Sequence, residues 1–113
     1  MTGTKPYQDE LDYLVAYARD APVYFFVVRG AAETLAGHGT DEDVIRALTV
    51  RLIGDMMDRG VAVGDLGGET GIEVEPWPLS KGDTLERIRR EMNELDACDA
   101  FIRICWFRSH RSP

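Results

Sequence analysis

The chain has 113 residues, 13 bases against 20 acids, a formal charge of −7 and 44% hydrophobic residues. That length suits one domain, residues 1–113, able to bury a single core without disulfide or metal staples. The longest apolar run, Val23–Val28, falls far short of the ~20 residues of a membrane helix, and Met1–Pro6 lacks the charged and apolar regions of a signal peptide. A cytoplasmic protein is expected. The charge is uneven: residues 1–75 hold 14 acids and 6 bases, residues 76–113 hold 6 acids and 7 bases. An acidic surface repels nucleic acid and membranes and attracts basic partners.

Leu11, Leu14, Val15 and Ala18 recur at helical spacing and predict a helix over Tyr7–Arg19, with Asp9, Glu10 and Asp12 placed in its first turn. Asp20-Ala-Pro has the form of a second helix start, Asp capping and Pro in the first turn, running to Gly37. Val23–Val28 has the β-branched and aromatic content of a strand; the helix is preferred because a strand leaves Gly30–Ala36 without a role. Thr40 reads as the N-cap of a third helix, with Asp41, Glu42 and Asp43 on the positive end of its dipole. Its stripe is Ile45, Leu48, Leu52, Ile53 and Met56, with Arg46, Arg51, Asp55, Asp58 and Arg59 on the wet side and Gly60 as terminator.

Gly60–Trp77 reads as a β-hairpin. Val61 and Val63 alternate in one arm, Ile72 and Val74 in the other, and glycines lie between them. Asp65, Glu69, Glu73 and Glu75 make this hairpin acidic. Pro76 and Pro78 bracket Trp77, Ser80 caps a last helix over Lys81–Leu95 with the stripe Leu85, Ile88, Met92 and Leu95, and Phe101–Phe107 reads as a closing strand before a basic tail, Arg108–Pro113. The expected fold is α+β and winged-helix-like: three N-terminal helices, a hairpin, a fourth helix and a closing strand.

The residues offer little catalytic chemistry. Gly64, Gly67, Gly68 and Gly71 suggest a phosphate loop, but no Lys-Ser or Lys-Thr follows and no helix start receives them. Glu73 and Glu75 lie on one face of a strand without the apolar pocket that general acid–base work needs. Ser109-His110 lacks an orienting acid. Cys98 and Cys105 read as structural thiols, and His38 and His110 show no zinc-ligand spacing. No catalytic residue, cofactor or metal is expected.

In winged-helix proteins that bind DNA, the third helix and the wing carry bases; here both carry acids. The bases lie elsewhere, as Arg87, Arg89 and Arg90 on the last helix and Arg103, Arg108 and Arg111 near the C-terminus. The expected function is therefore protein binding through Asp41, Glu42, Asp43, Asp65, Glu69, Glu73 and Glu75, with Trp77 as aromatic anchor. A plainer role for Trp77, and for Trp106 with Phe107, is to seal the core. The alternative is a winged-helix nucleic-acid-binding regulator using those arginines, and Val23–Val28 suits a homodimer as well as a core.

Four segments, Val50–Leu66, Glu75–Ser80, Leu85–Met92 and Ile104–Phe107, together resemble a family of small bacterial proteins. Its pattern is a helix, Gly-Leu-(any)-(any)-Gly-Asp-Leu, a Trp-(any)-Leu-Ser turn, a Glu-Arg-Ile-(any)-(any)-Glu-Trp helix and a strand ending in Trp-Phe. The resemblance spans about residues 45–107, with departures at Met92, where the family tends to have Trp, and in the basic tail. Most members have no established activity, and some resemble immunity proteins of bacterial toxin systems. What the resemblance implies is an immunity-type role without a catalytic residue; a basic toxin domain as the target follows from the acidic face.

Overall fold

Three apolar stripes and four short strands organise the chain. In a computed structural model, which describes residues 4–37, 39–67, 73–94 and 105–109, the order is α1 (Thr4–Asp20), β1 (Val23–Tyr24), α2 (Phe25–Ala36), α3 (Glu42–Asp58), β2 (Val61–Gly67), β3 (Glu73–Pro76), α4 (Lys81–Glu94) and β4 (Trp106–Ser109). The fold is α+β, with four helices and a four-stranded antiparallel sheet among the described residues. No described helix is long and apolar enough to cross a membrane.

The α1 stripe is buried as expected, Leu14 and Ala18 completely. The helix starts earlier than predicted, so Asp9, Glu10 and Asp12 fall outside the first turn that would favour them. Asp20 is the last residue of α1, not the cap of the next helix. Ala21 N–H still reaches the Tyr17 carbonyl at 3.0 Å. Pro22, which has no N–H and disfavours helix in the residue before it, breaks the run. Val23 and Tyr24 then pair with β4, and helix resumes at Phe25. Val23–Val28 is thus two residues of strand followed by four of helix.

The cap of α3 also differs from expectation. The Thr40 hydroxyl donates back to the Ala36 carbonyl at 2.7 Å, with the Gly37 carbonyl at 2.9 Å, closing the end of α2. Asp41 occupies the N-cap of α3, and its side chain makes no capping bond. The α3 stripe holds, Leu52, Ile53 and Met56 being fully buried and Ile45 and Leu48 packed at its margin. Gly60 follows α3 at φ +91°, the left-handed region favoured by glycine. Ser80 caps α4 as predicted, its Oγ accepting from Asp83 N–H at 3.1 Å. Lys81 bridges to Asp58 at 2.8 Å and Arg46 reaches Asn93 at 3.2 Å, so α3 and α4 run antiparallel.

The sheet order is β1-β4-β2-β3, which puts the C-terminal strand between the N-terminal one and the hairpin. Phe107 is fully buried, its ring 6.5 Å from that of Phe25. The closing strand lies later than predicted: Arg108 and Ser109, assigned to a fraying tail, are in β4. The hairpin pairs Gly64 with Pro76, Asp65 with Glu75, Leu66 with Val74 and Gly67 with Glu73. Trp77 N–H bonds the Val63 carbonyl at 2.9 Å, so the Gly64–Pro76 pair falls between ladder bonds and Pro76 sacrifices none. The expected hairpin turn with Ile72, as well as Leu95, Cys98, His38, His110 and the first part of the predicted closing strand, lies outside the described residues.

At Gly64 the strands approach so closely that a Cβ would overlap the Glu75 carbonyl. Gly64→Ala is expected to lower stability by about 2–4 kcal/mol in urea titrations. Gly60→Ala, strained only by its positive φ, is expected to cost about 1–2 kcal/mol.

Candidate functional site

The acids predicted to form one binding face fall into separate groups with different roles. Asp41, Glu42 and Asp43 sit at the start of α3 and are exposed, but Glu42 is engaged inside the protein. Arg29 of α2, only 3% exposed, donates through Nη1 and Nη2 to the two Glu42 oxygens at 2.8 and 2.7 Å. Arg46 Nε donates to the same carboxylate at 2.8 Å, and Glu33 lies 3.3 Å from Arg29 Nε. The Arg29 and Arg46 bonds push the Glu42 carboxyl down to about 2, against partial desolvation. Glu42 is thus a structural partner of a buried cation and not a free docking charge.

The hairpin acids are arranged differently. Asp65 and Glu75 are exposed and directly opposite each other across β2 and β3. Among the described residues neither makes an ion pair. Like charges facing across a ladder destabilise a sheet by roughly 0.2–1 kcal/mol. Glu73 pairs with Gly67 in the backbone register, and Glu69 lies outside the described residues.

Trp77 is 7% exposed and belongs to the core, the plainer of the two roles read for it, and is not an exposed anchor. Its ring is capped by the Arg87 guanidinium, 3.7 Å from the ring centroid, and Arg87 is itself held by Glu91 at 2.8 Å. This cation–π contact seals the joint between hairpin and α4. The indole Nε1 is buried and has no hydrogen-bond partner. Arg89 is paired with Glu86 at 3.1 Å, so two of the three α4 arginines have neighbouring carboxylates. Arg103 and Arg111 lie outside the described residues.

Three features were not anticipated. Tyr7 donates its hydroxyl to Asp55 at 2.5 Å, with the Arg51 guanidinium 4.4 Å from its ring, in a cleft of about 430 Å³ between α1 and α3. Burial and the Asp55 carboxylate raise the Tyr7 phenol above its usual range. Arg29 is the second; its sequence signal was a lone base within an apolar run, which asks for a buried partner. The third is the Tyr24–Trp106 ring pair, 5.4 Å apart across β1 and β4, which depends on a long-range pairing. Cys105 is buried, and desolvation together with the nearby Glu91 and Asp65 raises its thiol. Among the described residues no group of three or more His, Cys, Asp or Glu could hold a metal ion.

Comparison with family models, curated proteins and solved structures finds no match.

The two tied groups should mark opposite ends of the pH–stability curve. Because its pKa falls on folding, Glu42 contributes stability above about pH 4.5 that is lost as the pH drops toward 2. Glu42→Gln is expected to lower stability at neutral pH by about 1–3 kcal/mol and to flatten that acid limb in chemical denaturation. Tyr7, raised on folding, contributes stability that is lost as the pH climbs above 10. Tyr7→Phe should lower stability by about 0.5–1.5 kcal/mol below pH 10 and flatten the alkaline limb.

Proposed function

We propose that this chain is a non-enzymatic, winged-helix-like protein-binding module, an immunity-type inhibitor that acts in the cytoplasm by docking an acidic face on a basic toxin domain. The observation that carries the reading is the Asp65–Glu75 pair: two exposed carboxylates opposed across the hairpin, with no ion-pair partner among the described residues. A basic partner would relieve the repulsion that the fold sustains, and charge of this sign speeds encounter with such a partner. Asp41 and Asp43 extend the face, while Glu42 and Trp77 leave it. The resemblance over residues 45–107 is in keeping with an immunity-type role.

The winged-helix description is supported by the order α1-β1-α2-α3 followed by the β2–β3 hairpin. The chain departs from a three-stranded wing sheet in inserting β4 between β1 and β2. The non-enzymatic reading is supported by how the reactive side chains are used: Tyr7 is bonded to Asp55, Glu42 to two arginines, and the Cys105 thiol is buried.

The test is affinity capture from lysate of the source organism, comparing the wild-type chain with the double variant Asp65→Lys/Glu75→Lys. The double swap keeps a like-charge pair across the hairpin, so its folding stability should stay within about 1 kcal/mol of wild type. The wild type is expected to retain one basic protein that elutes between about 50 mM and about 0.5 M salt, and the double variant about tenfold less of it. Equal recovery of that protein by both would remove the hairpin acids from the interface.

A further inference from the structure

The register places one row of residues across all four strands: Tyr24 opposite Trp106, Trp106 opposite Gly64, Gly64 opposite Pro76. Their neighbours Val23, Phe107 and Val63 are buried at 0, 0 and 4% exposure on the helix-covered side. Alternation along each strand therefore turns the row to the other face of the sheet. The next row pairs Ala62 with Arg108. An antiparallel sheet with one solvated face normally presents polar residues there. This face instead presents a half-buried aromatic pair, and Arg108 is its one charge among the described residues, on a chain of net charge −7.

We infer that this outer face is a stacking platform for single-stranded nucleic acid, Tyr24 and Trp106 taking bases and Arg108 a phosphate. Aromatic side chains on an open sheet stack unpaired bases whatever their identity, and a flanking arginine supplies the charge that the backbone needs. Size argues against a second copy as the occupant. Strands of 2, 4, 7 and 4 residues present on the order of 300 Å² at a ~4.8 Å strand spacing and ~3.3 Å rise. A stable dimer needs about 800 Å² per partner, whereas two or three nucleotides fit the smaller area. The local charge fits as well: Asp65 and Glu75 alternate toward the helix side. At physiological salt, where screening acts over about 8 Å, charges across the sheet contribute weakly. A duplex keeps its bases stacked inside and has nothing to lay on the rings.

The experiment is fluorescence anisotropy with a labelled oligothymidine of about eight nucleotides, set against a duplex of equal length, using the full chain at about 0.15 M salt, where the net charge of −7 is screened. Single strand should bind and duplex should not. Trp106→Leu is expected to weaken binding about 5–100-fold, and Arg108→Glu to weaken it and flatten its salt dependence. Since Trp77 is shielded in the core, quenching of wild-type tryptophan fluorescence by unlabelled oligothymidine reports on Trp106 even if Trp106→Leu fails to fold. Absence of binding, preference for duplex, unquenched fluorescence, or affinity unchanged in both variants would each overturn the assignment.

Discussion

The buried Arg29 guanidinium constrains how the helical layer is put together. An isolated cation in an apolar core costs far more than one domain can offset, so Arg29 requires carboxylates within bonding distance. Glu42 supplies both oxygens, and it can do so only if α3 begins where its first turn faces α2. Arg46, one turn on, then shares the same carboxylate and reaches Asn93 of α4. A single buried charge thereby sets the relation of three helices. It also decides which acids remain for a partner, because a glutamate fixed at 2.7 and 2.8 Å to a buried arginine has little left to give to an external cation.

Much of this was legible in the sequence, and each failure has a physical cause. The stripes of α1, α3 and α4 were readable because apolar periodicity is a local signal that packing then reinforces. Ser80 was readable for the same reason, its hydroxyl having one adjacent helix start to serve. Thr40 was misread because two helix ends lie within its reach, and the carbonyls of Ala36 and Gly37 prevail over the N–H groups of α3. Val23–Tyr24 is too short for a period of two to register, and it is a strand only because β4 arrives from more than eighty residues away. The burial of Trp77 likewise depends on Arg87 crossing from α4. Contacts made between elements, whether near in the chain or more than eighty residues apart, leave no mark on local composition.

The central placement of β4 explains why the two faces of the sheet differ in kind. Phe107 enters the core beneath Phe25, and alternation then forces Trp106 and Arg108 outward. The same alternation on β2 and β3 sends Val63 and Asp65 to the helix side and leaves Ala62, Gly64 and Pro76 outside. Side chains that would be polar on an ordinary solvated sheet are therefore aromatic or small on this one. The acids gather instead where the hairpin projects beyond the buried part of the sheet. Charge and aromaticity are thus segregated by register, which the summed charge of −7 conceals.

That segregation bears on how an α+β fold in which a helix leads into a hairpin can belong to an acidic chain. In a DNA-binding wing, the helix start and the hairpin must both present cations, because each phosphate contact releases counterions. Here Glu42 at the helix start is committed to an internal arginine and the hairpin carries the opposed carboxylates Asp65 and Glu75, so neither element presents cations to a duplex. The arginines of α4 do not supply them, since Arg87 lies on the Trp77 ring with Glu91 beside it and Arg89 meets Glu86. Under the proposed function such a surface is offered to a cationic protein and not to a polyanion. Among the described residues the outer sheet face, where the acids are turned away, instead gathers two rings and a single guanidinium.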